Sequence, residues 1–263
     1  METASTYNDD LYVLRENLRN LRTAFLVLFI GSILMIIPLI DIAGAVLLFI
    51  GIIMLIVGLG RIGNSKMVNS RYYLSTRNWL VFNIIASIAA VVTVYYFLYM
   101  LIISPILSSA AVSGTPPSIS SSVFNEVFLI TGAAVAVIIV IYVIAYLKLA
   151  GTLKFLSSEL SVPKLGSAST YLKIAMVLSA LTSVIAVVSY YFSLHTIIIA
   201  NSGNGSVGIT GSPVFDLLGV LLYTFLAAIV AFIFELMAYH GAYSGIDEFF
   251  AVADYKIQNR NIK

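Results

Sequence analysis

Long runs of apolar residues, separated by shorter polar stretches, form the dominant pattern along the chain. A helix needs about 20 mainly apolar residues to cross the hydrocarbon core of a membrane. The runs that satisfy this requirement cover residues 22–40, 42–60, 79–104, 127–147, 172–200 and 214–239. We therefore predict an all-α fold, a polytopic membrane protein whose six transmembrane helices form three hairpins.

The whole chain, residues 1–263, is predicted to be a single transmembrane domain. Its three hairpins cover residues 22–60, 79–147 and 172–239. The stretch "NDDLYVLRENLRNLR" places leucines on one helical stripe opposite charged residues. Residues 1–21 are therefore predicted to form an amphipathic helix on the cytoplasmic membrane surface, with a partner-docking helix as the alternative. Residues 240–263 are predicted to form a cytoplasmic tail.

The second and third hairpins share sequence patterns. The segment "SIAAVVTVYYF" at 87–97 is nearly repeated as "SVIAVVSYYF" at 183–192, and "SVFNEV" at 122–127 resembles "PVFDLL" at 213–218. The matching segments occur in the same order and in spans that run in the same direction. This indicates a parallel internal repeat.

Composition and charge support the membrane assignment and predict its orientation. Hydrophobic residues make up 60% of the chain and charged residues only 10%, whereas a soluble domain carries roughly 25% charged residues. All 14 lysines and arginines lie within or border four segments, namely those before span 1, between spans 2 and 3, between spans 4 and 5, and after span 6. Because basic residues accumulate in cytoplasmic loops, we expect a multi-pass protein of the cell membrane with both termini in the cytoplasm.

Small and aromatic residues indicate where helices pack and where they meet the membrane surface. The glycines Gly44, Gly51 and Gly58 recur every seven residues, and Ser179 and Ser183 form a small-xxx-small pair, so both sets are candidates for close helix packing. Tyrosines occur in pairs in the outer halves of spans 3 and 5, at Tyr95, Tyr96, Tyr190 and Tyr191. They are either an interfacial aromatic belt or the lining of a polar substrate path.

Glu235 is the ionisable residue placed most clearly inside an apolar span. Such a group is costly in the membrane and is a functional candidate by default. Tyr239, four residues further on, lies on the same helical face, and Lys148 or Lys173 is a candidate partner at similar depth. Glu235 is predicted either to relay protons or cations or to form a buried gating pair. The alternative is a carboxylate that reaches the cytoplasmic interface.

Patterns for enzymatic chemistry are missing from the sequence. The chain contains no cysteine and two histidines, which disfavours thiolate and His/Cys metal sites. It has no phosphate-binding glycine loop, no HExxH and no serine nucleophile elbow. We therefore predict no enzyme, no metal site and no cofactor. Asn204, in "NGS" of a predicted outer loop, is a candidate N-glycosylation site.

The layout of the whole chain resembles that of small polytopic membrane proteins of crenarchaea. The features that carry this resemblance are the richness in isoleucine, tyrosine and serine, the outer loop "SPILSSAAVSGTPPSISSS" and the lack of cysteine. In size and six-span plan the chain is similar to the integral membrane component of the crenarchaeal DNA-exchange (Ced) import system, and also to related small archaeal membrane families. The former resemblance implies a pore-forming subunit that passes DNA into the cell, with small membrane partners and a cytoplasmic hexameric ATPase.

Three functions remain open. The first is the pore component of a DNA import apparatus, which requires a homo-oligomer or partner subunits because one six-helix bundle is too narrow for DNA. The second is a small-solute or ion channel or transporter that uses Glu235. The third is a non-transporting membrane scaffold or accessory subunit. All three place the protein in a lipid bilayer.

Overall fold

The computed structural model of the protein is helical throughout the six elements it describes, and it covers residues 2–37, 40–64, 70–100, 104, 121–202 and 212–260. The helices are α1 (Glu2–Leu34), α2 (Asp41–Gly63), α3 (Ser70–Leu98), α4 (Ser121–Leu160), α5 (Pro163–Ser202) and α6 (Ser212–Arg260). Each contains a segment long and apolar enough to cross a membrane. The predicted all-α, multi-pass architecture is thus confirmed, while the grouping into hairpins and the internal repeat stay predictions.

The helices extend well beyond the predicted spans. α1 is continuous from Glu2 to Leu34, so the predicted surface helix over 1–21 is not separate from the first span. Its leucines at positions 14, 18 and 21 are buried against protein, because this stripe packs on other helices. α6 likewise continues through most of the predicted tail, to Arg260. Hydropathy marks the hydrocarbon layer and not the point where a helix ends.

The predicted connection between spans 4 and 5 is also mostly helical. α4 ends at Leu160 and α5 begins at Pro163, so only two residues join them. Ser161 has a left-handed backbone with φ of 56°, and the Val162 N–H donates back to the Ser157 carbonyl at 3.1 Å. This bond terminates α4 as in a Schellman-type cap, and proline is well suited to the first turn of the helix that follows.

The chain forms two compact units. The first consists of residues 1–82, 144–177 and 230–263, and the second of residues 83–143 and 178–229. All residues of the main hydrophobic core belong to the first unit. In the second unit, the side chains that the structure describes are mostly half-buried or exposed, with Ile141, Thr182 and Ser189 as its buried members.

Within the first unit, each helix contacts the next one in the sequence, and α6 contacts α1. Besides the α1–α2 pair, representative contacts are Gly63 with Leu74, Thr76 with Thr152, Ser169 with Ala150, Lys164 with Glu248, and Arg22 with Asp247. The helices of this unit therefore form a closed ring. Side chains that reach its interior can meet partners from helices distant in the sequence.

The glycine stripe of α2 lies against α1. A Cβ atom added to Gly44 would lie 2.6 Å from the Met35 backbone nitrogen, one added to Gly51 would lie 2.8 Å from Leu28, and one added to Gly58 would lie 3.1 Å from the Leu21 nitrogen. The partner residues Met35, Leu28 and Leu21 are seven residues apart, and their numbers fall as those of the glycines rise. The two helices are therefore antiparallel and in heptad register. Their backbones approach most closely at Gly44, where even a Cβ atom would clash with backbone atoms.

Candidate functional site

Glu235 lies in the segment of α6, Leu222–Tyr255, that is apolar enough to span a membrane. Its side chain is half-buried. The Tyr239 hydroxyl donates a hydrogen bond to the Glu235 Oε1 atom at 2.6 Å, a length typical of a strong O–H···O bond to a carboxylate. The contact follows from the four-residue spacing on one helix.

Tyr239 connects Glu235 to other helices of the first unit. It is only 2% exposed, and its ring lies 6.4 Å from that of Phe25 in α1. Its hydroxyl also interacts by hydrogen bonding with Tyr146 of α4, and Tyr146 lies within electrostatic range of Glu235. Tyr239 therefore contacts both α1 and α4, and the cluster of Tyr146, Tyr239 and Glu235 connects α4 to α6. Tyr146 was not predicted, because no local spacing relates it to Glu235.

A basic partner for Glu235 is absent from the described part of the chain. Lys148 and Lys173 were candidates, yet neither forms an ion pair with it. Lys148 is exposed and Lys173 is half-buried. The hydrogen-bond partner of Glu235 is instead the neutral hydroxyl of Tyr239, a group that can both donate and accept a proton.

A second polar cluster joins α1 to α6. The Arg22 Nε atom lies 2.6 Å from Asp247 Oδ1, and Arg22 Nη2 donates to the Tyr243 hydroxyl at 3.0 Å. Its guanidinium carbon is 4.9 Å from the centre of the Tyr243 ring. Seven residues earlier in α1, Arg15 repeats this arrangement: Nη2 is 3.0 Å from Asp254 and the guanidinium is 5.5 Å from the Phe250 ring centre.

We call this arrangement the α1–α6 clasp; its members are Arg15, Arg22, Tyr243, Asp247, Phe250 and Asp254. Each half contains one arginine of α1 and, on α6, an aromatic residue followed four positions later by an aspartate. The Phe29 and His240 rings, 5.5 Å apart, continue the same heptad register. From the sequence, these arginines were assigned to membrane orientation and to the polar face of the amphipathic N-terminal helix. A contact with α6 was not predicted, although the matching seven-residue spacings of Arg15/Arg22 and Asp247/Asp254 were a usable signal.

Another tyrosine–glutamate pair lies outside the Glu235 cluster. The Tyr73 hydroxyl of α3 donates to Glu159 Oε2 of α4 at 2.8 Å. Tyr73 is buried but Glu159 is exposed, so this carboxylate keeps its hydration. The pair therefore provides a natural comparison for Glu235, which has the same chemistry in a less hydrated setting.

Two of the tyrosines predicted to line a path, Tyr95 and Tyr96, have exposed side chains. Tyr95 and Tyr96 of α3 are 71% and 58% exposed in a single copy of the protein. The side chains of Tyr190 and Tyr191, and the whole of Asn204, lie outside the described residues. In α5, the Ser183 hydroxyl donates to the Ser179 carbonyl at 2.8 Å, within its own helix.

Comparison with protein-family models, curated proteins and solved structures finds no match for this chain. Its class is therefore defined by its own fold and site. It is a multi-pass membrane protein with six candidate spanning helices among its described residues. Its Glu235–Tyr239–Tyr146 cluster joins α6 to α4 within the first unit.

Proposed function

We propose that the protein is a membrane channel or transporter for protons or small cations, with Glu235 as the exchanging group. The observation that carries this proposal is the 2.6 Å bond from Tyr239 to Glu235, in an apolar span and with no ion pair to that carboxylate among the described residues. A carboxylate in this setting is costly. Reversible binding of a proton or a cation would lower that cost.

The two tyrosines support this function because a hydroxyl can accept one proton while it donates another. Tyr146, Tyr239 and Glu235 thus form a connected set of groups through which a proton can pass. Tyr239 is almost fully buried, which would prevent a continuous water column at this level. A relay through side chains is therefore favoured over free diffusion of a hydrated solute.

Replacing Glu235 by glutamine, E235Q, is expected to reduce proton flux at least about tenfold, because loss of a group that transfers protons typically costs a factor of this size or more. The measurement is dye-reported acidification of proteoliposomes under an imposed potential. Tyr239→Phe should give a smaller loss, since it removes one relay hydroxyl but keeps the carboxylate.

The matched control is Glu159→Gln, which alters the exposed carboxylate of the other tyrosine–glutamate pair and should leave flux unchanged. Glutamine is nearly isosteric with glutamate, so both variants should fold, and their elution in gel filtration checks this. Wild-type vesicles without flux, or E235Q vesicles with full flux, would contradict the proposal.

We also propose that both termini face the cytoplasm. All the basic residues lie within or border the two terminal segments and the connections between spans 2 and 3 and between spans 4 and 5, which lie on one side of the membrane. The chain lacks cysteine, so a single cysteine can be introduced without background. A cysteine at Asn64, after α2, should react with a membrane-impermeant thiol reagent in inverted vesicles and not in intact cells. The reverse pattern would overturn this orientation.

A subunit of a DNA import apparatus is a second candidate function. The observation that favours it is the exposure of Tyr95 and Tyr96, near the end of α3, and of Tyr99, directly after it. In an assembly of several copies, such rings can stack on the bases of a single strand without sequence preference. This candidate needs a closed ring of copies, so a monomeric mass in mild detergent would exclude a pore made by this chain alone.

A further inference from the structure

A surface pocket of about 150 Å³ lies beside the α1–α6 clasp. It is lined by Arg15, Glu16, Arg19, Arg22 and Phe250. Three arginines thus face one glutamate within the lining. The arginines are spaced by four and three residues, which places them on one face of α1.

The guanidinium groups in this pocket keep unused hydrogen-bond donors. A guanidinium carries five N–H groups, and Arg15 contributes one of them, at Nη2, to Asp254. Its Nε is shielded from solvent and has no hydrogen-bond partner in the described structure. Arg19 has only a 3.8 Å contact with Glu16, and both of these side chains are largely exposed. Arg15 and Arg19 can therefore both turn donors toward one anion.

The clasp fixes the rest of the pocket. Arg22 is held by Asp247 and Tyr243, and it contributes positive charge without having to move. Phe250, under the Arg15 guanidinium, supplies an apolar wall. Asp254 and Asp247 form ion pairs with Arg15 and Arg22 and offset their charges, but neither aspartate lines the pocket. The charge of Arg19 is the least offset of the three, because its contact with Glu16 is long and exposed. A compact anion with several acceptor oxygens and an attached apolar part fits this combination.

The pocket lies where α1 changes from a charged to an apolar helix. The residues from Thr23 to Leu34 carry no charge, and the arginines lie within the eight residues before them. Arg15 and Arg22 are seven residues apart, which at 1.5 Å per residue is about 10 Å along the helix. This length is comparable with a headgroup layer of roughly 5–8 Å on each side of the hydrocarbon core. We infer that the pocket binds the phosphate of an anionic phospholipid headgroup.

Free phosphate is the other source of the same chemistry. The lipid is favoured by the apolar wall of Phe250 and by the position of the pocket at the start of the apolar part of α1. A lipid would present its phosphate there at high local concentration, with its glycerol and acyl chains beside the aromatic ring. Free phosphate makes no use of either feature.

The test is a titration of the full-length protein, purified in neutral detergent, with phosphatidylglycerol and followed by native mass spectrometry. Arg19→Gln is expected to weaken retention of this lipid about tenfold, as for the loss of a hydrogen bond to a charged group. Arg19→Lys should weaken it less, because the charge remains while the fork of donors is lost. Arg61→Gln, at an exposed arginine outside the pocket, is the matched control and should bind as the wild type does.

Further measurements distinguish a phospholipid headgroup from free phosphate as the ligand. Phosphatidylcholine, with no net charge, should be retained weakly and equally by all variants. Inorganic phosphate should compete only weakly. If it displaces the lipid as strongly as the lipid itself binds, and if this competition depends on Arg19, then the ligand of the pocket is a soluble anion and not a lipid. If Arg19→Gln and Arg61→Gln weaken the retention of phosphatidylglycerol equally, then the lipid responds only to general surface charge, and the proposed site is wrong. Retention of phosphatidylglycerol that is unchanged by Arg19→Gln would overturn it as well.

Discussion

Replacing Gly44 by alanine is expected to destabilise the protein by at least about 2 kcal/mol, at the upper end of overpacking effects. The added Cβ would lie 2.6 Å from the Met35 nitrogen, 2.9 Å from the Gly31 oxygen and 2.9 Å from the Leu34 carbonyl carbon. All three atoms belong to the backbone, so no rotation of a side chain relieves the clash. Helices α1 and α2 would have to separate along their register.

The same substitution at Gly132 is the matched control. A Cβ there would meet nothing within 4 Å, so alanine should be neutral or should stabilise the helix by up to about 1 kcal/mol. Thermal unfolding in detergent can be followed by the fluorescence of Trp79, the single tryptophan, which packs against the core of the first unit. Equal unfolding temperatures for the two variants would contradict the close approach of α1 and α2.

Gly51→Ala and Gly58→Ala extend the comparison within the same stripe. At Gly51 the nearest atoms belong to the Leu28 side chain, whereas at Gly58 the nearest is the Leu21 nitrogen, at 3.1 Å. The Leu28 side chain can shift, and the Gly58 contact is longer than the one at Gly44. Both variants should therefore lose less stability than Gly44→Ala.

The sequence was sufficient to predict the number and class of the helices because each apolar run exceeds what a membrane crossing needs. Helix ends were harder to predict, since helix α4 continues through the charged residues Lys148 and Lys154. Charged residues lower the hydropathy there, while the backbone hydrogen bonds of the helix continue. The bounds of the apolar runs therefore give the spans and not the ends of the helices.

The candidate site was predictable only where it is local. Tyr239 follows Glu235 by one turn of the same helix, so spacing alone brings them together. Tyr146 comes from another helix, and its place beside Tyr239 depends on how the ring of helices closes. The close packing at Gly31 was not predicted either, because it also depends on a second helix. A Cβ atom added to Gly31 would lie 2.9 Å from the Leu48 nitrogen of α2, but α1 has no series of glycines that would indicate such a contact.

Reversing the charge of Arg22, by Arg22→Asp, is expected to destabilise the protein by about 2–3 kcal/mol. The substitution removes the bonds to Asp247 and Tyr243 and places a second acid beside Asp247. This loss of stability is smaller than that for a fully buried ion pair, because the Arg22 and Asp247 side chains are 33% and 39% exposed and solvent screens their charges. Arg19→Asp is the comparison, since the ion pair of Arg19 is long and exposed, and it should change stability by less than about 1 kcal/mol.

The exchanged pair, Arg22→Asp with Asp247→Arg, separates the clasp from a simple loss of packing. Opposite charges would face each other again across α1 and α6, so the double variant should recover part of the stability lost in Arg22→Asp. Recovery will be incomplete, because an arginine on α6 cannot reproduce the stacking on Tyr243. A double variant as unstable as the sum of its two single variants would mean that the charges are not coupled. The α1–α6 contact would then depend on its aromatic packing, such as Phe25 against Tyr239, and not on the clasp.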